Sequence, residues 1–170
     1  GLGALEGSNY EEIVYEGYGP GGTAIMLDIL TDNRNRTAAD IRHLFSKYGG
    51  NLGETGCVGW IFQQKSIFIV EKSSFADEDA LMEIVLDAGA EDFKAEDDVF
   101  EIVAAPSDYD AIALALEEKN IETASAEVTM IPDTTVKLTG KDADKMMTLL
   151  DILDEHDDVQ NVYANYEIEE

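Results

Sequence analysis

The stretch TDNRNRTAADIRHLFSKYGGNLG, Thr31–Gly53, organises the reading of the whole chain. It begins at the end of an apolar run, carries one helix, and ends where the chain changes character. Ile41, Leu44 and Phe45 recur at helical spacing, Asn33 and Thr37 are candidate N-caps beside Asp32, and Gly49-Gly50 is a stop signal, so the pattern predicts a helix over about 37–48. It is also the chain's one basic island. Arg34, Arg36, Arg42 and Lys47 stand against only Asp32 and Asp40, in a sequence with 37 Asp and Glu, 11 Lys and Arg, and a net charge of -26. Arg34-Asn35-Arg36 therefore leads into a predicted helix N-terminus, where backbone N–H groups, the macrodipole and two guanidinium forks favour phosphate. The plainer reading is that these Arg and Asn side chains bond nearby carbonyls and the abundant carboxylates.

Upstream of this stretch, Tyr10–Tyr18 reads as a strand, Gly17-Tyr18-Gly19-Pro20-Gly21-Gly22 as a tight loop, and Thr23–Thr31 as a second, apolar strand. The glycine loop superficially resembles a phosphate-binding fingerprint. It leads into a strand instead of a helix and lacks a Lys-Ser or Lys-Thr ending, so a hairpin connection is the better reading.

Downstream, Cys57–Phe62 and Lys65–Glu71 are two β-type runs around Gln63-Gln64. A helix over Glu78–Asp87 follows, with Leu81, Ile84 and Val85 on one face. Phe93 and Val99–Ala104 mark two more strands, Asp108–Glu118 a second helix with Ile112, Leu114 and Leu116, and Val128–Ile131 a last strand. From Lys65 to Ile131 the order is β-α-β-β-α-β, the signature of a split βαβ, or ferredoxin-like, unit. Thr134–Leu138, Asp142–Asp154 and Val159–Tyr166 then supply β-α-β. Joined to the opening β-β-α, this tail predicts one sheet with two helices on it. The expected fold is α+β, with two α/β sandwich domains: residues 8–54 plus 133–170, and a ferredoxin-like domain over 55–132 inserted into the first.

Composition narrows the function. A hydrophobic content of 45% with 28% charged residues fits a globular protein, and no apolar run reaches about 18 residues. The opening GLGALEGSNYEE has neither the basic region nor the apolar core of a signal peptide and reads as a linker, which predicts a cytoplasmic chain that starts mid-protein. The single Cys57 fits a reducing compartment and reads as a small buried hydrophobe. Charge of this sign repels polyanions over most of the surface, so any contact with nucleic acid must be local.

No catalytic constellation emerges. Ser73 and Ser74 lack an elbow motif, and Glu155-His156-Asp157-Asp158 places consecutive residues where a metal would need ligands converging from different directions. No metal or cofactor is expected. Met146 reads as core and Met147 as its flank. Tyr15, Tyr18, Trp60 and Phe62 sit on β-type runs, and packing explains them more simply than base stacking does.

Three blocks, YEGYGPGG (Tyr15–Gly22), LTDNRNRTAADIRHLFSKYGGNLG (Leu30–Gly53) and GCVGWIF (Gly56–Phe62), resemble the YebC/PmpR family, which includes the mitochondrial translational activator of cytochrome c oxidase. The resemblance implies a three-domain protein whose basic N-terminal helical domain is absent from this chain. It also implies that the full-length protein is a DNA-binding transcriptional regulator or, alternatively, a ribosome-associated translation factor that relieves stalling. Neither is an enzyme. The implied partners are DNA, or ribosomal RNA and basic ribosomal or transcription proteins, with no membrane. On this reading Arg34, Arg36, Arg42, Lys47, Asn33 and Asn35 are the nucleic-acid residues, and Tyr18, Gly19, Gly21, Gly22, Gly49, Gly50 and Asn51 form the signature loops. Gly56-Cys57-Val58-Gly59 departs from the commoner Gly-Ser-Val-Ala while keeping small residues.

Overall fold

The computed structural model describes residues 9–169; Gly1–Ser8, where the linker reading falls, and Glu170 lie outside the described residues. The described residues form an α+β architecture with four α-helices, and the chain divides into two compact units. One comprises the described residues up to Phe62 together with those from Pro132 on; the other is Gln63–Ile131. Residues 55–62, expected in the inserted piece, thus stay with the first unit. The ends of the insertion lie side by side, since the Asp133 N–H donates to the Ile61 carbonyl at 2.8 Å.

In the first unit, β1 (Glu11–Tyr18) and β2 (Ala24–Thr31) form an antiparallel hairpin, with Glu11 opposite Thr31 and Tyr18 opposite Ala24. A 3-10 turn over Pro20–Gly22 joins them, as the hairpin reading required, with Gly21 and Gly22 at φ +74° and +81°. The helix α1 (Arg34–Lys47) follows, then the two-residue β3 (Asn51–Leu52). After the insertion come β8 (Val136–Leu138), α4 (Gly140–Glu155), β9 (Val159–Ala164) and β10 (Tyr166–Ile168). Alternate residues Ile25, Leu27 and Ile29 of β2 are buried in one core with Ile41 and Phe45 of α1 and Met146, Leu149 and Leu153 of α4. The period-2 and period-3.6 patterns meet there. Met146 is fully buried and Met147 exposed, as the helical spacing predicts.

The expected single sheet is instead two. One has the order β3-β1-β2-β9; the other pairs β8 with β10 in parallel. Asn165, 3% exposed, causes the break in the predicted strand 159–166. Its N–H donates to the Ala24 carbonyl at 3.1 Å, and its Oδ1 accepts the Ala24 N–H at 2.7 Å. Its carbonyl accepts from the Val136 N–H at 2.8 Å and its Nδ2 donates to Thr134 O at 3.2 Å. One residue, through its backbone and its amide side chain together, ends the pairing with β2 and starts the pairing with β8.

The second unit runs β4 (Phe62–Glu71, beginning one residue before the division), α2 (Glu78–Asp87), β5 (Asp92–Ala95), β6 (Val99–Ala104), α3 (Tyr109–Glu118) and β7 (Ser125–Pro132). The sheet order β5-β6-β4-β7 puts the first and third strands at the centre, which is the split βαβ arrangement. Leu81 and Val85 of α2 and Ile112 and Leu116 of α3 bury against Phe68, Val70, Phe100 and Ile102. Leu114, the other apolar residue noted on α3, is 55% exposed, because it lies two residues from each of the buried pair and so on the opposite side of the helix.

Cys57–Phe62 is not a strand. Turns and a 3-10 segment over Gly59–Ile61 replace it, and β4 runs unbroken through Gln63-Gln64. The reason is Glu16, a 5% exposed carboxylate on β1 that accepts the N–H groups of Gly56 (2.6 Å), Val58 (3.1 Å) and Gly59. Backbone donors gathered onto one carboxylate cannot serve a sheet ladder.

Candidate nucleic-acid interface

Helix α1 starts earlier than the spacing suggested. Asn33 is its N-cap, its Oδ1 accepting the Arg36 N–H at 3.1 Å, so Arg34, Asn35 and Arg36 form the first turn and do not lead up to it. Thr37, the other candidate cap, is a buried residue inside the helix. Its hydroxyl lies 2.7 Å from that of Thr31 and donates to Asp158 Oδ2 at 2.7 Å. The helix mouth therefore already holds a carboxylate of the chain itself, which satisfies part of its appetite for anions.

The four cations divide into two kinds. Arg34 pairs with Glu11 at 3.5 Å, and Arg36 with Asp32 at 3.4 Å and Asp158 at 3.6 Å. Arg42 and Lys47 have no carboxylate partner among the described residues; Lys47 Nζ lies 5.5 Å from the Tyr48 ring centroid. All four side chains are exposed, as are Asn33 and Asn35. At 3.6 residues per turn, Arg36, His43 and Lys47 follow one flank of α1 over about 16 Å, while Arg42 sits on another. The island is thus a helix with charge on two flanks, not one patch.

The remaining sequence candidates resolve as follows. His156 uses both ring nitrogens: Nδ1 accepts the Asp158 N–H at 3.1 Å, and Nε2 lies 3.3 Å from Asp40 Oδ2. Among the described residues, no group of three or more His, Cys, Asp or Glu is arranged to hold a metal. Cys57 is half-buried, and burial, then the Glu16 carboxylate, raises its thiol above the ordinary value. Phe62 is buried as the packing reading requires, but Trp60 is 72% exposed. Its Nε1 donates to the Cys57 carbonyl at 3.0 Å. In the sequence Trp60 reads as a packing residue, because packing explains aromatics on β-type runs more simply than base stacking does.

The signature loops converge. Gly50 sits against the backbone of Tyr18 so closely that a Cβ on Gly50 would collide with the Tyr18 carbonyl oxygen. Asn51 pairs with Tyr18 in the ladder. A Cβ on Gly49 would lie 4.0 Å from Pro20 Cγ and 3.9 Å from Lys145 Nζ, and one on Gly19 3.1 Å from Met146 Sδ. Tyr18, Gly19, Gly49, Gly50 and Asn51 thus meet where α1 terminates, while a Cβ on Gly21 would meet Leu138 and one on Gly22 nothing within 4 Å.

Fold and surface together define a two-unit α+β protein whose distinctive features are a cationic helix and a set of glycine loops on an acidic body. A family model described as "TACO1/YebC second and third domain" matches residues 10–166, and the chain belongs to that family. It is 61% identical over 171 residues to a "Probable transcriptional regulatory protein" of Pelotomaculum thermopropionicum, covering 100% of this chain and 70% of the relative. A protein of the same name from Desulfatibacillum aliphaticivorans is 56% identical, with 99% and 68% covered. Among solved structures, a conserved hypothetical protein, Aq1575 from Aquifex aeolicus, superposes with a TM-score of 0.81 at 41% identity, covering 98% of this chain and 68% of that one. Among the described residues no helix is long and apolar enough to cross a membrane.

Proposed function

We propose that this chain is a regulator of gene expression, cytoplasmic and non-enzymatic, that acts on nucleic acid as a DNA-binding transcriptional regulator, with α1 as its contact element. The observation that carries this reading is the state of the α1 cations. Arg42 and Lys47 are exposed without a carboxylate partner among the described residues; Arg34 pairs with the exposed Glu11 and Arg36 with the exposed Asp32, at 3.5 and 3.4 Å, and Arg36 also lies 3.6 Å from the half-buried Asp158. The exposed pairs with Glu11 and Asp32 contribute about 0–1 kcal/mol each, so exchanging those carboxylates for phosphate costs little. Asn33 and Asn35 stand beside them, one just before the first turn and one within it. The names of the relatives support the regulatory role.

A second reading is a ribosome-associated translation factor. The net charge of -26 favours it, because acidic faces complement basic ribosomal proteins while the α1 cations meet ribosomal RNA. Mobility shift of candidate promoter duplexes and co-pelleting with ribosomes, each with the chain and its Arg34→Glu/Arg36→Glu variant, separate the two. A transcriptional regulator prefers a defined duplex over random DNA by about 4 kcal/mol or more, and a ribosome factor shows no such preference. Unchanged binding of the variant in both assays removes α1 as the contact.

A further inference from the structure

Successive side chains of a strand face opposite sides of its sheet. In β2, Ile25, Leu27 and Ile29 face the core that α1 and α4 cover, and from β1 the Tyr15 hydroxyl reaches the Arg34 carbonyl at 3.5 Å on that same side. Ala24, Met26, Asp28 and Leu30 therefore face away from both helices. The register sets Glu12 opposite Leu30, Val14 opposite Asp28, Glu16 opposite Met26, and Asn161 of β9 opposite Asp28. The two ends of this outer face differ. Toward the hairpin, Glu16 is taken up by the turn at Gly56, Val58 and Gly59, and Ala24 and Met26 are buried. At the other end Val14 is 44% exposed, Glu12 is exposed, and Asp28 and Leu30 are half-buried.

The open end is a groove of about 520 Å³ whose lining includes Glu12, Val14, Asp28, Leu30, Gln160 and Asn161. The pairing shifts there, since Asp28 stands opposite Asn161 but Ile29 opposite Val159, which leaves Gln160 as an extra residue. Bulges of this kind are concentrated beside functional sites. Asp28 is held in one place. Its Oδ2 accepts from Asn161 Nδ2 at 3.2 Å and from the Tyr163 hydroxyl at 3.1 Å, while its Oδ1 has no hydrogen-bond partner among the described residues. No Lys or Arg lines the groove, and none among the described residues pairs with Asp28 or Glu12. A fixed, unpaired carboxylate beside Val14 and Leu30 matches one kind of side chain: an aliphatic stem that lies on apolar surface and ends in a positive charge.

We propose that the open end of this sheet face docks a basic segment of a partner protein, with an Arg or Lys side chain lying along Val14 and Leu30 and its charge on Asp28. The net charge of -26 draws such a segment in, and the groove fixes where it settles. This surface is independent of the α1 contact, because α1 packs on the opposite side of the same sheet. Cations on one side and carboxylates on the other let the unit hold a polyanion and a basic protein at once.

The test is a titration of the chain, followed by amide nitrogen–proton NMR at physiological salt, with the capped peptide Leu-Arg-Val-Arg-Leu and its counterpart Leu-Glu-Val-Glu-Leu. Saturable shifts centred on Val14, Asp28, Leu30 and Asn161 are expected with the arginine peptide alone. Asp28→Asn keeps an acceptor for Asn161 and Tyr163 while removing the charge, and is expected to weaken the binding about tenfold. Val14→Lys, at an exposed strand position, is expected to abolish it, and Arg34→Glu/Arg36→Glu to leave it unchanged. Shifts scattered over the acidic surface, an affinity that Asp28→Asn does not alter, or no shifts at about 1 mM peptide each overturn the site. A free chain that sediments as a dimer, and that Val14→Lys returns to monomer, gives the face to a second copy and also overturns the proposal. None of these outcomes touches the α1 reading, which duplex and ribosome binding decide separately.

Discussion

Glu16 and Gly59 are made for each other's position. The carboxylate accepts the glycine's N–H, and a Cβ on Gly59 would stand 2.8 Å from Glu16 Oε1. Because the same carboxylate also takes the N–H groups of Gly56 and Val58, replacing one oxygen by an amide NH2 turns a donor toward donors. Glu16→Gln is expected to cost about 1–3 kcal/mol in urea unfolding, and Gly59→Ala a comparable amount by displacing the carboxylate. A stability change within about 0.5 kcal/mol for both would mean the turn is held by something else.

Cys57 is expected to react slowly with iodoacetamide at neutral pH, because burial and the Glu16 charge both disfavour its thiolate. Glu16→Gln removes the second cause and should accelerate alkylation. The linkage has a definite sign. With the folded-state thiol held above its unfolded value, the stability linked to Cys57 is fully present below the unfolded pKa and is lost as pH rises through the folded one. Cys57→Ser should flatten that alkaline decline, measured as the denaturation midpoint against pH.

Asp158 anchors the start of α1 from the far end of the sequence, accepting from the Thr37 hydroxyl at 2.7 Å with the Arg36 guanidinium at 3.6 Å. Asp158→Ala removes the charged acceptor of the Thr37 hydroxyl, which keeps only Thr31 Oγ1 at 2.7 Å and the Asn33 carbonyl at 3.1 Å, and it removes a carboxylate from Arg36. The expected loss is about 1–3 kcal/mol, with faster amide exchange confined to the first turn of α1. Asn33→Ala, which removes the N-cap, should cost about 1 kcal/mol. Melting that is unchanged in both variants would contradict this account of the helix mouth.

Gly50→Ala tests the convergence of the loops. A methyl group there meets the Tyr18 carbonyl, a backbone atom that cannot swing aside. A loss of about 3 kcal/mol is expected, with near-ultraviolet changes from Tyr18 and Trp60. An alanine accommodated without either change would show that the hairpin and the end of α1 are not locked together.

Salt dependence measures how many α1 cations meet phosphate. Four contacts predict a slope of about -3.6 for log K against log salt on duplex DNA, and Arg42→Glu/Lys47→Glu should reduce it to about -1.8. Both residues lack carboxylate partners among the described residues, so their reversal should leave the melting temperature nearly unchanged. An unaltered slope would exclude them from the contact.

The bounds of α2 were legible in the chain itself, as were the burial of Met146, the split βαβ order and the hairpin before α1. Each rests on the spacing of apolar residues along one element, or on a turn residue beside it, and such local signals survive without knowledge of the partner. Tertiary structure alone decided the rest. Glu16 abolishes a predicted strand by collecting backbone donors 40 or more residues away, and Thr37 meets Asp158 across 121 residues. Asn165 divides one expected sheet into two through its bonds to Ala24, Thr134 and Val136. A polar side chain's choice of backbone partner depends on which groups folding brings within about 3 Å, and no periodicity in the sequence encodes that. For the same reason Trp60 reads as core in the sequence and stands in solvent in the fold.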